Sequence, residues 1–198
     1  MKKILLIDNY DSFSYTIVFY LKELGYQCKI IKNDEFKKAK DLARFDFSHL
    51  IISPGPNSPT ESKLSLKAIQ YFKKDKKILG ICLGHQCIGE IFGGKITPMP
   101  YPMQGKISRL HLKKNAKKSL LFKGIKNKSK ICLYHSLHIS KMPKSCEILA
   151  LNDKNIIMAI KHKKYEIYGV QFHPEAILSQ NGKKLLKNFY ENLTFFSI

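Results

Sequence analysis

Cys82 lies in the run Ile78-Leu-Gly-Ile-Cys-Leu-Gly-His-Gln-Cys-Ile-Gly-Glu-Ile-Phe92, where an apolar stretch delivers it between Gly80 and Gly84 into a helical pattern. A thiol attacks as its thiolate, so a reactive cysteine needs an electropositive setting and a base within reach. A strand-to-helix elbow supplies the setting. Small flanking residues hold the side chain out of the sheet's end, and the helix's first N–H groups favour the anion and can bind an oxyanion. The base is offered ninety residues on by Gly169-Val-Gln-Phe-His-Pro-Glu175, an apolar strand ending in His173, with a carboxylate two residues later. Side chains two apart on an extended segment point the same way. Glu175 is therefore placed to fix the tautomer of His173 and steady its imidazolium. Alone, a buried cysteine or a strand-end histidine is more often packing than chemistry. Together, Cys82, His173 and Glu175 form a candidate catalytic triad.

The elements that must position these residues follow from the chain's periodicity. Lys3 to Asp8 reads as a continuous apolar strand, and Asp11 or Ser12 can cap a helix that runs to Leu24 and is stopped by Gly25. Strands are expected at Gln27 to Ile31 and at His49 to Ser53, the second breaking at Pro54-Gly-Pro-Asn-Ser-Pro59. A helix from Ser62 to Phe72, the strand Ile78 to Ile81 and a helix from His85 to Phe92 follow. This β-α-β alternation predicts parallel strands with right-handed crossovers and helices on both faces. After Gly94 the rhythm changes to short strands at Lys106 to His111, Lys130 to Leu133, Glu147 to Leu151, Ile156 to Lys161 and Glu166 to Phe172, an antiparallel extension. Asn181 to Leu193 reads as an amphipathic helix with Leu185, Leu186, Phe189 and Tyr190 on one face. In an open parallel sheet the active site lies beyond the carboxyl ends of the strands. That rule gathers Asp8 to Ser12, Ser53 to Asn57, Cys82 to Gln86 and His173 to Glu175 on one rim.

Composition narrows the function classes. A chain of 198 residues, 44% of them hydrophobic, can bury one full core, so a single domain over 1–198 is expected. The amino terminus turns polar after four apolar residues and no run is long enough to cross a bilayer, which predicts a cytoplasmic protein without a membrane role. Five cysteines with no C-x-x-C pair argue against a disulfide framework and a zinc site. The formal charge of +20 suggests nucleic acid. However, of 35 basic residues only Arg44 and Arg109 are arginine, whose guanidinium fork phosphate and base recognition favours, and the lysines are scattered doublets. A solvated lysine-rich surface is the better reading, and no nucleic-acid partner is expected.

Five ordered motifs carry a resemblance that runs essentially the whole chain: Ile-Asp-Asn-Tyr-Asp-Ser-Phe at 7–13, Ser-Pro-Gly-Pro at 53–56, Gly-Ile-Cys-Leu-Gly-His-Gln at 80–86, Tyr-His-Ser-Leu at 134–137 and Val-Gln-Phe-His-Pro-Glu at 170–175. They resemble the class I glutamine amidotransferases, and among these the glutaminase subunits of anthranilate synthase and aminodeoxychorismate synthase. The resemblance implies a flavodoxin-like three-layer α/β/α fold and hydrolysis of the glutamine side-chain amide, with no cofactor or metal. Ammonia would pass to a larger chorismate-binding synthase subunit. It also implies that Gly55, Asn57, Gln86, Ser136 and Leu137 line the glutamine pocket, and that the N–H groups of Leu83 and Gly55 hold the oxyanion. Met158 to Lys163 and Ile177 to Ser179 lean toward the aminodeoxychorismate branch. The stretch after Glu175 leaves no room for a synthetase domain, so the acceptor enzyme is expected on a separate chain.

Three positions depart from the family pattern: Asn57, where a small residue is usual, Gln104, where histidine is frequent, and Ala176, where serine is usual. The first two put the pocket edge in question; none touches the triad. The alternative from another class is a non-catalytic binding or regulatory module that keeps the fold, and the intact Cys82, His173 and Glu175 set argues against it.

Overall fold

The computed structural model of the chain describes residues 3–191. Its elements are β1 (Lys3–Asp8), α1 (Ser14–Glu23), β2 (Gln27–Lys32), β3 (His49–Ile52), α2 (Lys63–Phe72), β4 (Lys77–Ile81), α3 (Leu83–Ile91), β5 (Lys95–Arg109), β6 (His111–Leu112), β7 (Lys130–Lys141), β8 (Cys146–Leu151), β9 (Ile157–His162), β10 (Ile167–Val170) and α4 (Gly182–Glu191). The main sheet runs β2-β1-β3-β4-β10-β9-β8-β6. Its first five strands are mutually parallel in the flavodoxin-like order, and β9, β8 and β6 continue it antiparallel. β5 and β7 pair with each other in a separate antiparallel ribbon.

β1 is apolar throughout because both of its faces are covered. Ile4 and Leu6 join α1 (Ile17, Val18, Leu21) and α4 (Leu185, Leu186, Phe189) in one core. Leu5 and Ile7 join α2 (Leu64, Ala68, Ile69, Phe72) and α3 (Leu83, Cys87, Ile88) in the other. Each such fully buried aliphatic side chain contributes about 1.5–3 kcal/mol. The three-layer α/β/α fold with a mostly parallel sheet and a small antiparallel sheet is therefore present, as expected.

Several element bounds differ from the sequence reading. α1 begins at Ser14, not at an Asp11 or Ser12 cap: Phe13 is its N-cap residue, without a side-chain hydrogen bond. The carboxylate of Asp8, at the end of β1, accepts from the Ser14 hydroxyl instead, while Asp11 accepts the Phe13 N–H. The expected strand Lys106 to His111 is split at Leu110, and its first part belongs to a 15-residue strand that includes Pro98, Pro100 and Pro102. The ladder tolerates them because pairing jumps from Pro98–Leu137 to Met103–His135, leaving residues 99–102 as a bulge. β7 continues from the expected Lys130–Leu133 to Lys141 to face β5. A 3₁₀ helix at Ala39–Phe45 has no counterpart in the sequence reading. α4 matches the expected closing helix, whose last residues 192–193 lie outside the described residues.

Candidate active site

β4 ends at Ile81 and α3 begins at Leu83, so the whole reversal falls on Cys82, at φ 51° and ψ −101°. A non-glycine residue in that region stores about 1–3 kcal/mol of backbone strain and persists only where its surroundings over-determine it. Here they do. The Cys82 N–H donates to the Val170 carbonyl at 2.8 Å, fixing the elbow to β10. A Cβ on Gly80 would stand 2.3 Å from the Gly84 carbonyl, and one on Gly84 would stand 2.3 Å from the Ile52 carbonyl, so only hydrogen fits between β4, α3 and β3. The elbow holds the sulfur at the amino end of α3, whose first N–H groups lack intrahelical acceptors. Its thiol also faces the Tyr134 carbonyl at 3.8 Å.

His173 and Glu175 leave β10 in the turn just beyond Val170. His173 Nδ1 lies 2.6 Å from Glu175 Oε1, and both residues are 1% exposed. Burial alone would lower the imidazole's pKa, but the facing Cys82 sulfur as thiolate and the Glu175 carboxylate outweigh it and hold the pKa well above the usual value. The Nε2 atom has no hydrogen-bond partner among the described residues, which leaves it available toward the sulfur. Edge-on contacts from Phe13 (centroids 5.3 Å) and Tyr134 (5.2 Å) wall the ring. Burial raises the Asp11 carboxyl above its ordinary range, partly offset by the Phe13 N–H and the charge of His173. The triad residues proposed from sequence are thus together, two of them as a hydrogen-bonded pair.

The five residues expected in the glutamine pocket, Gly55, Asn57, Gln86, Ser136 and Leu137, and Leu83, expected to hold the oxyanion, border one cavity of about 240 Å³ that also opens onto Cys82. Asn57 meets its departure from the small-residue pattern with a left-handed backbone, φ 68°, which asparagine adopts readily. Gln104, a second departure, lines the same cavity. Ala176 is buried, its N–H donating to the His173 carbonyl at 3.2 Å. A larger concavity of about 820 Å³, flanked by Lys37, Lys38, Lys40, Lys67, Lys73 and Lys74, contains none of the candidate residues. Size does not choose the site; the chemistry around Cys82 does. Among the described residues no group of three or more His, Cys, Asp or Glu is arranged to hold a metal ion. No helix among them is long and apolar enough to cross a membrane.

Two groups escaped the sequence reading. Asn9, in the turn after β1, ties down the Ser53–Pro54 turn: its N–H donates to Ser53 Oγ at 2.9 Å and its side-chain amide to the Ser53 carbonyl at 3.0 Å. Ser65 and Asn33 in turn donate to its Oδ1. Gln171, fully buried, lies between the nucleophile and Gln86, with its Nε2 at 3.7 Å from Cys82 Sγ. Asn9 and Gln171 stand inside the motifs at 7–13 and 170–175, but nothing in their local pattern marks their contacts.

Comparison with known proteins gives the family of the chain. The family model described as glutamine amidotransferase class-I matches residues 5–193. The chain is 39% identical over 193 residues to anthranilate synthase component 2 of Thermus thermophilus, covering 96% of this chain and 92% of that one. It is 42% identical over 188 residues to aminodeoxychorismate synthase component 2 of Klebsiella aerogenes, covering 94% and 98%. It is 41% identical to the bifunctional protein TrpGD of Thermotoga maritima, of which it spans only 32%. A solved structure from Thermoplasma acidophilum, of a protein assigned as one subunit of a GMP synthase, superposes with a TM-score of 0.84 at 26% identity, covering 96% of this chain and 92% of that one.

Proposed function

The chain belongs to the class-I glutamine amidotransferase family, and we propose that it hydrolyses glutamine through Cys82, His173 and Glu175 and delivers the ammonia to a chorismate-aminating synthase subunit. One observation carries the proposal: the sulfur of Cys82, on a strained elbow at a helix start, opens onto a small cavity lined by the expected pocket residues, with the buried His173–Glu175 pair at 2.6 Å beside it.

The chemistry follows from these positions. Glutamine enters beside Gln86, Ser136 and Leu137 with its side-chain amide toward Cys82. The thiol proton passes to His173 Nε2, and the thiolate attacks the amide carbon. The oxyanion that forms is held by the N–H groups of Leu83 and Gly55. His173 then protonates the departing nitrogen, releasing ammonia and leaving a thioester on Cys82. Water, deprotonated by His173, attacks the thioester and frees glutamate, returning the proton to sulfur. Glu175 keeps the ring oriented and offsets its charge throughout.

The acceptor is read as a separate chorismate-binding chain. Aminodeoxychorismate synthase is favoured by Met158–Lys163 and Ile177–Ser179, with anthranilate synthase the second product line and service of both a third reading. A single domain working in the cytoplasm, without cofactor or metal, completes the proposal. Ammonia release from glutamine, measured with and without a co-purified chorismate-binding partner, tests it. No ammonia in either condition would reduce the chain to a non-catalytic module of the same fold.

A further inference from the structure

We infer that Gln171 is a hydrogen-bond donor to the nucleophilic sulfur, oriented for that task by Gln86; the inference rests on the amidotransferase reading above. Gln171 Nε2 lies 3.7 Å from Cys82 Sγ, ordinary for a donor to sulfur, and Gln86 Nε2 lies 3.2 Å from Gln171 Oε1. Gln86 Nε2 also donates to the Leu137 carbonyl at 3.0 Å. That last contact fixes the direction of the relay. A backbone carbonyl only accepts, so the Gln86 amide must present its NH₂ toward Leu137 and, from the same nitrogen, toward Gln171. Gln171 must then present its oxygen to Gln86, and its NH₂ is left facing the sulfur. Gln171 is fully buried and Gln86 is 3% exposed, so water does not compete for these groups.

The relay has a consequence for each state of the sulfur. As a thiol, Cys82 has an acceptor in the Tyr134 carbonyl at 3.8 Å. As a thiolate, it is repelled by that carbonyl and stabilised by the imidazolium and the Gln171 N–H. Gln171 thus tips the balance toward the attacking form. It also leaves Gln86 only its Oε1 for a ligand, which assigns Gln86 an acceptor's part toward the substrate.

The test uses iodoacetamide, which alkylates a thiolate without needing the glutamine pocket, with labelling of Cys82 followed by mass spectrometry between pH 5.5 and 9. Two variants separate donor from filler. Gln171→Met fills the space with no donor; Gln171→Glu keeps the acceptor for Gln86 and replaces the donor with a carboxylate. A hydrogen bond to an anion is strong enough that Gln171→Met is expected to slow Cys82 labelling at neutral pH about tenfold or more. Gln171→Glu is expected to be slower still at neutral pH and to regain rate relative to wild type as the pH falls and the carboxyl protonates, a pH profile that loss of packing alone does not produce. If both variants label at the wild-type rate across the range, the inference is wrong while the function stands. If Cys82 of the wild-type protein labels no faster than Cys28 or Cys146, whose thiols burial pushes up to about 12 and about 11, the amidotransferase chemistry fails first and Gln171 with it.

Discussion

Acidification to pH 5.5 should remove about 3 kcal/mol of stability through two histidines that are held neutral beside the site. His85, in the first turn of α3, is fully buried against β10: a Cβ on Gly169 would lie 2.7 Å from its Nδ1. Burial drives its pKa down to about 3, the Gly169 backbone opposing and the rings of His135 and His138 adding to the depression. His135 is lowered to about 4, again chiefly by burial, with the Leu137 carbonyl opposing. An unfolded histidine titrates near 6.5. Between the folded and unfolded values the unfolded chain holds more protons, so stability rises with pH there and is lost as pH falls below 6.5. From pH 7.5 to 5.5 each histidine costs about 1.4 kcal/mol, a large fraction of the roughly 5–15 kcal/mol that holds a domain together. His173, whose folded pKa is raised, has the opposite sign: its contribution is complete below 6.5 and fades as pH climbs through its folded value. Urea unfolding followed by circular dichroism at pH 7.5, 6.5 and 5.5 measures the slope, and comparing wild type with His85→Gln cancels the other titrating groups. The stability difference between pH 7.5 and 5.5 should shrink by about 1.4 kcal/mol in the variant, whatever its absolute stability. An unchanged difference would refute the buried-neutral assignment of His85.

Cys82→Ser should abolish ammonia release, and a glutamine-analogue electrophile should label Cys82 alone. Cys87 is fully buried and its thiol is pushed far above the usual range by that burial, so stoichiometric labelling there would overturn the nucleophile. His173→Ala should eliminate turnover, whereas Glu175→Gln should lower kcat by a smaller factor, roughly 10²–10⁴-fold, with little change in KM; an unaltered kcat would reassign Glu175 to a structural role. Addition of the chorismate-binding subunit should raise the glutaminase rate. The Asn9 network already pins the Ser53–Pro54 turn, so the response is expected on the side of Tyr134–Leu137 and the 99–102 bulge. Gln104→Ala, at the cavity edge there, should both raise KM and change the degree of activation, and equal rates with and without partner would show the site fully assembled in the free chain.

What could be read from sequence was what depends on near neighbours. The apolar runs of β1 and β4 need only cover on both faces, and the Gly80-Ile-Cys-Leu-Gly84 spacing already demands a tight reversal, which the elbow at Cys82 meets. His173 and Glu175 are two apart, and their bond is local, although the turn after β10 closes it and not the extended segment expected there. Where the determining contact is distant, local pattern misleads. Asp11 and Ser12 look like helix caps, but the carboxylate that meets the start of α1 comes from Asp8 at the end of the strand before it. Pro98, Pro100 and Pro102 look like loop, yet β7 supplies a ladder that skips the residues between Pro98 and Met103. Gln171 is the sharpest case. Gln171 follows directly on β10, a strand buried throughout, and nothing in its valine, phenylalanine and glycine neighbours marks its contact; only the meeting of β10 with the elbow 89 residues earlier brings its amide to the sulfur. The same meeting joins base to nucleophile. Any change that moves β10 relative to β4 must therefore disturb His173, Gln171 and Cys82 together, and their effects on turnover should be strongly non-additive.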